Sequence, residues 1–262
     1  MYRIFLFALT LLFATVVSNA DAQTRKQNLT VMSYNIRHGE GIDNKTDYLR
    51  TAHVISSQHP DMVALQEVDS VTSRSNGHDV LLEVANATGM YPTFARAISF
   101  EGGSYGVGIL TKTQPISTTR IALPGREEAR VLLVVELPDY YFACTHLSLT
   151  TEDQMASIAT IKAFAETLNK PLIIAGDWNA HPDDAFMSDI QQYVMVLDDM
   201  TTKSFPADSP NELLDYIAIW KSADTSFKLK TFKVVDEPIA SDHRPVVAKF
   251  KLCSKQKKQI KH

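Results

Sequence analysis

The sequence predicts an α/β protein: a four-layer sandwich in which two mixed β-sheets pack face to face with helices outside. Segments typical of strands outnumber helical patterns, and the helices fall between some strands but not others. With 45% apolar and 21% charged residues, the composition is that of a globular protein. A chain of 262 residues is also long enough to bury a large core.

The first part of the chain predicts two strand–helix pairs. A buried strand is expected over residues 29–36, followed by a helix over 47–58 that His59-Pro60 ends. A short apolar strand over 62–68 then precedes a helix over 80–87.

Strands dominate the rest of the chain. Five consecutive strands with short turns are expected at 91–97, 106–111, 116–122, 131–137 and 141–146. An amphipathic helix over 152–168 leads into the buried strand PLIIAGD, residues 171–177. Three further strands are expected at 213–220, 227–235 and 245–252.

The amino terminus has the organisation of a secretory signal peptide. Arg3 supplies a positive charge, residues 4–17 are an apolar run of fourteen, and Ala20-Asp21-Ala22 is a small-residue cleavage site. The run is short for a permanent transmembrane helix, although an uncleaved anchor is the alternative. We expect residues 1–22 to be removed and residues 23–262 to form one periplasmic or extracellular domain with no stable membrane insertion.

Charge and cysteine content exclude several classes of protein. A formal net charge of −4 does not favour nucleic acid as a partner, since nucleic-acid binders are usually strongly basic. Two distant cysteines, Cys144 and Cys253, exclude a disulfide-rich scaffold and a four-cysteine zinc site. A disulfide between them and two free thiols both fit the sequence. We expect a monomer.

Polar residues stand at or beside the ends of several predicted apolar strands, where the loops of α/β folds form binding sites. They are carboxylates, amides and imidazoles: Asn35, Glu67, His146, Asp177, Asn179, Asp215, Asp242 and His243. Oxygen ligands of this kind suit a hard cation such as Mg²⁺. The lack of thiolates and of paired histidine spacing makes zinc a poorer fit.

These residues fall into six blocks in chain order: Asn35, Gln66-Glu67, Thr145-His146, Gly176-Asp177-Trp178-Asn179, Asp215-Tyr216 and Ser241-Asp242-His243. The series resembles the endonuclease/exonuclease/phosphatase superfamily, which includes deoxyribonuclease I, exonuclease III, bacterial sphingomyelinases and inositol polyphosphate 5-phosphatases. One block alone is a weak signal, whereas six in order span almost the whole mature chain. Residues 74–112 also resemble secreted bacterial members described only as metal-dependent hydrolases.

The resemblance implies a role for each block. Glu67 would be the principal ligand of Mg²⁺, with Mn²⁺ as a possible substitute, assisted by Asn35 and Asp242. Asp177 and Asn179 would orient or deprotonate the attacking water and hold the phosphate. Taken alone, the same residues have ordinary explanations, such as a helix cap for Glu67 or a turn for the GDWN block.

Three further residues complete the implied chemistry. His146, as an imidazolium, would stabilise charge that develops in the transition state. Asp215 would fix the tautomer of His243, because a histidine in such a site needs a carboxylate partner. Either Asp177 or His243 would be the general base, and the sequence leaves that choice open.

Four more residues are weaker candidates for substrate binding: His38, Arg74, Tyr105 and Arg130. Either arginine could hold a phosphate through two hydrogen bonds, and the tyrosine could form a pocket wall. Exposed loop positions or an ordinary turn explain them equally well. A nucleophilic role for Cys144 would leave the acidic residues without a function.

The sequence therefore predicts an exported Mg²⁺-dependent phosphoesterase that hydrolyses a phosphodiester by in-line attack of water. A small or lipid-derived substrate is favoured, because the chain has neither a basic loop for duplex DNA nor a long aromatic hairpin for membrane insertion. An endonuclease or exonuclease acting on DNA or RNA and a phosphomonoesterase are alternatives. A non-catalytic binding protein is disfavoured because every block residue is present.

Overall fold

The computed structural model describes residues 24–255, so the expected signal peptide, residues 1–22, lies outside the described residues. In the described part the strands are β1 (Thr24–Asn35), β2 (Met62–Ser70), β3 (Tyr91–Phe100), β4 (Gly103–Thr111), β5 (Ser117–Leu123), β6 (Arg130–Glu136), β7 (Tyr141–His146), β8 (Leu172–Asp177), β9 (Val194–Val196), β10 (Asp215–Trp220), β11 (Thr225–Val234) and β12 (Val246–Lys255). The helices are α1 (Tyr48–Ser57), α2 (Val80–Thr88), α3 (Thr151–Ala165) and α4 (Ala185–Ile190).

The strands form two six-stranded mixed sheets. The order in the first sheet is β11-β12-β1-β2-β4-β3, and in the second it is β5-β6-β7-β8-β10-β9. In each sheet one central pair is parallel, β1 with β2 and β7 with β8, while the other neighbours are antiparallel. The predicted sandwich of two mixed sheets is confirmed.

Three apolar layers hold the sandwich together. The central layer lies between the sheets and includes Val31, Ile109 and Phe142. A second layer joins α1 and α2 to the first sheet, and a third joins α3 and α4 to the second sheet. Because the central strands are buried on both faces, their sequences are continuous apolar runs without polar alternation.

The helix boundaries follow from capping. The Asp47 side chain accepts a hydrogen bond from the backbone N–H of Arg50 and begins α1, and Gly89 ends α2 in the left-handed conformation. The longest described helix, α3, has 15 residues. Among residues 24–255, no helix is long and apolar enough to cross a membrane.

The two cysteines are free thiols in different sheets. Cys144, on β7, is buried between the sheets, where its Sγ lies 3.3 Å from Nε2 of Gln66 and donates a hydrogen bond to the carbonyl oxygen of Leu65. Cys253, on β12, is half-buried. Of the two possibilities that the sequence left open, the structure has the free thiols.

Candidate active site

The carboxyl ends of the two parallel strand pairs meet at one edge of the sandwich. In the first sheet, Asn35 at the end of β1 is paired with Gln66 on β2. In the second sheet, His146 at the end of β7 is paired with Asp177, which also faces Asp215 at the start of β10. Ligands of α/β sheets bind outside the carboxyl ends of parallel strands, so this edge is the expected location of a site.

Gly176 allows β7 and β8 to approach closely just before His146 and Asp177. A Cβ atom at this position would lie 2.1 Å from the carbonyl oxygen of Thr145, so only glycine fits. Asp177 follows directly, with its Oδ2 at 3.6 Å from Nε2 of His146. Asn179 has a φ of 49°, which asparagine tolerates, and its backbone N–H donates to Oδ1 of Asp177.

A chain of hydrogen-bonding groups runs from Asp215 through His243 to Asp177. The Asp215 Oδ2 atom lies 2.9 Å from Nδ1 of His243 and accepts a second hydrogen bond from Ser204 Oγ. On the other side of the ring, Nε2 is 3.6 Å from Oδ2 of Asp177. Burial alone would lower the pKa of His243, but the two carboxylates raise it to about 10, so the ring is an imidazolium at neutral pH.

Glu67 reaches the site from an irregular part of β2. The pairing of β2 with β4 shifts between Leu65 and Val68, and Glu67 has a φ of 57°. Bulges and left-handed residues of this kind redirect side chains at active sites and carry a conformational cost. Nδ2 of Asn35 donates hydrogen bonds to Glu67 and Asp177, at 3.0 and 3.1 Å, and so lies between the two carboxylates.

The charge around Glu67 fits a divalent cation. Burial raises the pKa of Glu67, and the negative charges of Asp242 and Asp177 raise it further. Three carboxylates in close proximity repel one another unless a cation compensates them. The atoms of Glu67, Asp242 and Asp177 that could bind an ion are all oxygen atoms, which hard cations prefer. The amide of Asn35 would have to rotate to present its oxygen, because its Oδ1 accepts from the backbone N–H of Arg37.

A second arrangement of metal-ligand types is also present. Among the described residues, atoms of Asp177, Asp215 and His243 lie within 4.8 Å of one another in a buried cluster. The imidazole and Asp215 already share a hydrogen bond of 2.9 Å. Glu67 and Asp242 are only half-buried and line the adjoining cavity. This accessibility makes Glu67 and Asp242 the better position for an ion, as the sequence predicts.

His146 differs from expectation in its charge. Its side chain is buried beside Asp177 and Arg130. Burial lowers the pKa of His146 to about 4, and the positive charge of Arg130 contributes in the same direction. The residue is therefore neutral at neutral pH, and it can supply a hydrogen bond to a phosphate oxygen but not the full positive charge expected of an imidazolium.

These residues surround an open cavity of about 500 Å³. The predicted residues in its wall are Glu67, Tyr105, Arg130, His146, Asp177, Asn179, Asp242 and His243. Asn35 and Asp215 lie behind the wall and contact it through hydrogen bonds. The structure thus brings every predicted catalytic and metal-binding residue to one place.

The four predicted substrate-binding residues have different positions. Tyr105 and Arg130 line the cavity, although Arg130 is almost fully buried and paired with Glu128 at 3.0 Å. Arg74 instead lines a smaller groove beside Glu67 and donates two hydrogen bonds to Asp69. That carboxylate occupies the two nitrogens with which the arginine was expected to hold a phosphate.

His38 does not reach the cavity wall. It lies in the short turn Arg37–Gly39 after β1, with its Nε2 at 3.8 Å from Oε2 of Glu40. Burial and the charge of Arg74 lower its pKa. The expectation that His38 binds substrate directly in the main cavity has no support in this geometry.

Sequence reasoning missed several residues in the cavity wall. They come from loops: Glu128, Leu149, His181, Phe205, Glu212 and Leu214. His181 lies 3.5 Å from Glu212, and the Phe205 ring packs against His243 with centroids 4.6 Å apart. Of these, only His181 had a usable signal, because it follows the GDWN block by two residues.

Comparison with known proteins identifies the family. The model of the endonuclease/exonuclease/phosphatase family matches residues 32–243, which is most of the chain. The chain belongs to this family. The resemblance inferred from the six blocks is therefore confirmed. Members of the endonuclease/exonuclease/phosphatase family are hydrolases that act on phosphoesters and typically depend on a divalent metal, and the site described above contains a buried acidic and histidine cluster.

Solved structures of the endonuclease/exonuclease/phosphatase family share the fold. A mannosyl-6-phosphatase from Bacteroides thetaiotaomicron is 17% identical, with a TM-score of 0.68 over 85% of this chain and 99% of that one. An endonuclease/exonuclease/phosphatase from Beutenbergia cavernae is 20% identical, with a TM-score of 0.67 over 86% of this chain and 72% of that one. The human Nocturnin catalytic domain with bound sulfate is 16% identical, with a TM-score of 0.62 over 88% of this chain and 97% of that one. No curated protein matches the chain.

Proposed function

We propose that this protein is an exported Mg²⁺-dependent phosphoesterase that cleaves a small phosphodiester by in-line attack of water. The proposal rests on one observation: the Asp215–His243–Asp177 chain and the half-buried Glu67 meet in the same open cavity. A nucleophile-activating group, a cation position and room for a substrate are then adjacent, as phosphoester hydrolysis requires.

The residues of the chain divide the chemistry as follows. Asp177 and Asn179 position the attacking water, and its proton passes to the Asp177 carboxylate, which lies 3.6 Å from the protonated Nε2 of His243. Asp215 holds the histidine ring in place. His146 donates a hydrogen bond to a phosphate oxygen.

The same geometry supports a position for the cation. Glu67 and Asp242, together with Asn35 after rotation of its amide, would hold Mg²⁺. When bound, the ion would neutralise the phosphate oxygens and the charge that develops on the leaving group. Mn²⁺ would be accepted by the same oxygen ligands.

The charge of the cavity supports a small substrate with little negative charge. Glu128 and Glu212 add two carboxylates to the wall, and the cationic partner of Glu128, Arg130, is already paired with it. A polyanion such as duplex DNA is held by many unpaired basic groups, and its binding would be opposed here.

Hydrolysis of a phosphomonoester is the second candidate. It is supported by the similarity of the chain to a mannosyl-6-phosphatase over 99% of that protein. A cavity of about 500 Å³ is also within the size range that holds a small ligand such as a sugar phosphate.

The experiment compares bis-p-nitrophenyl phosphate with p-nitrophenyl phosphate, in Mg²⁺, Mn²⁺ or EDTA. We expect metal-dependent cleavage of the diester, reduced at least about a hundredfold in Glu67→Ala, Asp177→Ala and His243→Ala, with circular dichroism used to verify that each variant is folded under the assay conditions. His53→Ala is the matched control, because this histidine is exposed on α1.

The outcomes separate the candidates. Cleavage of the monoester alone would replace the diesterase proposal with a phosphatase. Activity in EDTA, or full activity in His243→Ala, would contradict the proposed mechanism.

Export is part of the proposal, and it is supported by the arrangement of residues 1–22. Mass spectrometry of the protein expressed with its full amino terminus should show a mature chain that begins at Gln23. An intact amino terminus retained in the membrane fraction would contradict cleavage.

A further inference from the structure

A small groove opens beside Glu67, next to the main cavity. Its volume is about 110 Å³, compared with about 500 Å³ for the main cavity. Glu67, Tyr105 and Glu128 line both spaces, so the groove adjoins the site where the phosphate is expected. The other lining residues are Arg74, Ile98 and Phe100.

The groove wall is built by the hairpin of β3 and β4. Ile98 is paired with Tyr105 across the two strands, and Phe100 lies two residues further along β3. Side chains that are paired across a ladder or two apart on a strand lie on the same face of the sheet. The hairpin thus supplies an apolar floor of limited size.

Arg74 is held rigidly at the edge of this floor. Its Nε and Nη2 atoms donate to Asp69 at 2.7 and 2.8 Å, and its guanidinium lies 4.5 Å from the centre of the Phe100 ring. Glu101, in the hairpin turn, accepts hydrogen bonds from the backbone N–H of Arg74 and from Ser73. The position of the Arg74 guanidinium group is therefore set by the protein before any ligand binds.

Two hydrogen-bond donors in the groove wall have no protein partner. Among residues 24–255, no hydrogen bond is formed by Nη1 of Arg74 or by the hydroxyl group of Tyr105. Arg74 is paired with Asp69 and Glu128 with Arg130, and the negative charge of Glu67 would be balanced by the ion proposed to bind there. A space with an apolar floor, free donors and balanced charge suits a small neutral group that carries an oxygen atom.

We propose that this groove binds the second substituent of a phosphodiester and limits it to a small hydroxylated group, of about two or three carbon atoms. The inference rests on the proposed function and adds its substrate class. A diester has two organic groups on one phosphate. The main cavity receives the leaving group, and the groove receives the group that stays on the phosphorus.

The test uses three p-nitrophenyl phosphate diesters whose second group is 2-hydroxyethyl, ethyl or phenyl. Formation of the hydroxyethyl, ethyl or phenyl monophosphate is measured for each, because in the hydroxyethyl ester the neighbouring hydroxyl group can also displace nitrophenol and form a cyclic phosphate, and that product is not counted. For the native protein we expect kcat/KM to be about tenfold higher for the ethyl than for the phenyl ester, because phenyl overfills the groove. The hydroxyethyl ester should exceed the ethyl ester about fivefold, since a hydrogen bond to a free donor contributes roughly that factor.

Three variants locate this selectivity. Phe100→Ala and Ile98→Ala enlarge the groove and should bring the ethyl-to-phenyl ratio of kcat/KM close to one. Tyr105→Phe keeps the ring and should lower the preference for hydroxyethyl over ethyl. Phe164→Ala, a half-buried aromatic residue on α3, is the control and should change neither ratio. Thermal unfolding verifies that each variant is folded.

The outcomes distinguish the two proposals. Diesterase activity with both ratios unchanged in folded Phe100→Ala, Ile98→Ala and Tyr105→Phe would overturn the groove and leave the proposed function intact. A native protein that cleaves no diester in Mg²⁺ would overturn the proposed function, and the groove inference with it.

Discussion

At the scale of single residues, the site depends on charged side chains that are almost fully buried. Asp177, Asp215 and His243 are each less than a tenth exposed. Burying an isolated charge costs several kcal/mol, and here the imidazolium between two carboxylates offsets that cost. Removal of His243 would leave two buried carboxylates without a positive partner, and removal of Asp215 would take away the hydrogen-bond partner of Nδ1 of His243. These buried residues therefore contribute to stability.

Cys144 and Cys253 have very different surroundings, so we predict one reactive thiol in the native protein. Burial raises the pKa of Cys144 to about 12, and no appreciable thiolate forms below about pH 10. Cys253 is half-buried. Titration with a thiol reagent at pH 8 should modify Cys253 first and Cys144 only after denaturation.

Cys253→Ser is the matched variant for this measurement, and it should leave no fast-reacting thiol. Two thiols that react rapidly in the native protein would contradict the prediction. So would the absence of any reactive thiol together with a protein mass that shows a disulfide bond.

At the scale of elements, β7 and β8 approach each other closely at Gly176, next to the candidate site. We predict that Gly176→Ala destabilises the protein by about 3 kcal/mol, because its Cβ would lie 2.1 Å from the backbone oxygen of Thr145. Gly77→Ala is the control. Gly77 has a φ of 76° with no atom within 4 Å of the added Cβ, and its change should cost only about 1 kcal/mol of conformational strain.

Urea unfolding of the two glycine variants measures the difference. Equal destabilisation by Gly176→Ala and Gly77→Ala would show that β7 and β8 can move apart at little cost and that their close approach at Gly176 is not required.

The strands that carry the candidate site could be predicted from the sequence because they are apolar runs with polar residues at their ends. β7 has the predicted bounds, and β8 begins one residue later than predicted. The two strands end at His146 and Asp177, as expected. α4 and β9 were missed, since six and three residues are too few to show a period. β1 begins at residue 24, five residues earlier than predicted, because residues 24–33 of β1 pair with the whole length of β12.

The cavity wall could not be predicted in the same way. Glu128, His181 and Glu212 lie in loops, and only the packing of the two sheets brings them together. Nothing in the residues around Arg74 distinguishes a phosphate from the nearby Asp69 as the partner of its guanidinium group. These choices depend on three-dimensional distances that neither composition nor periodicity contains.

At the scale of the whole molecule, a bound ion should stabilise the fold. We predict that saturating Mg²⁺ raises the unfolding temperature, because a ligand at a hundred times its Kd adds about 2.7 kcal/mol. For a domain of this size, that corresponds to an increase of about 5 to 10 °C. Glu67→Gln should lose the increase.

The control for Mg²⁺ binding is Glu152→Gln, an exposed residue on α3, which should keep the full increase. Differential scanning calorimetry with Mg²⁺ or EDTA measures the effect. An undiminished shift in Glu67→Gln would place the ion elsewhere.

The first and last described strands lie side by side, with β1 hydrogen-bonded to β12 on one edge and to β2 on the other. A chain that stops before Val246 therefore leaves a long backbone edge of β1 open. Open edges of this kind recruit strands from other molecules. Truncated products of this protein should aggregate, and no partly synthesised chain can complete the first sheet. Assembly of that sheet must wait until the carboxyl-terminal strand is available.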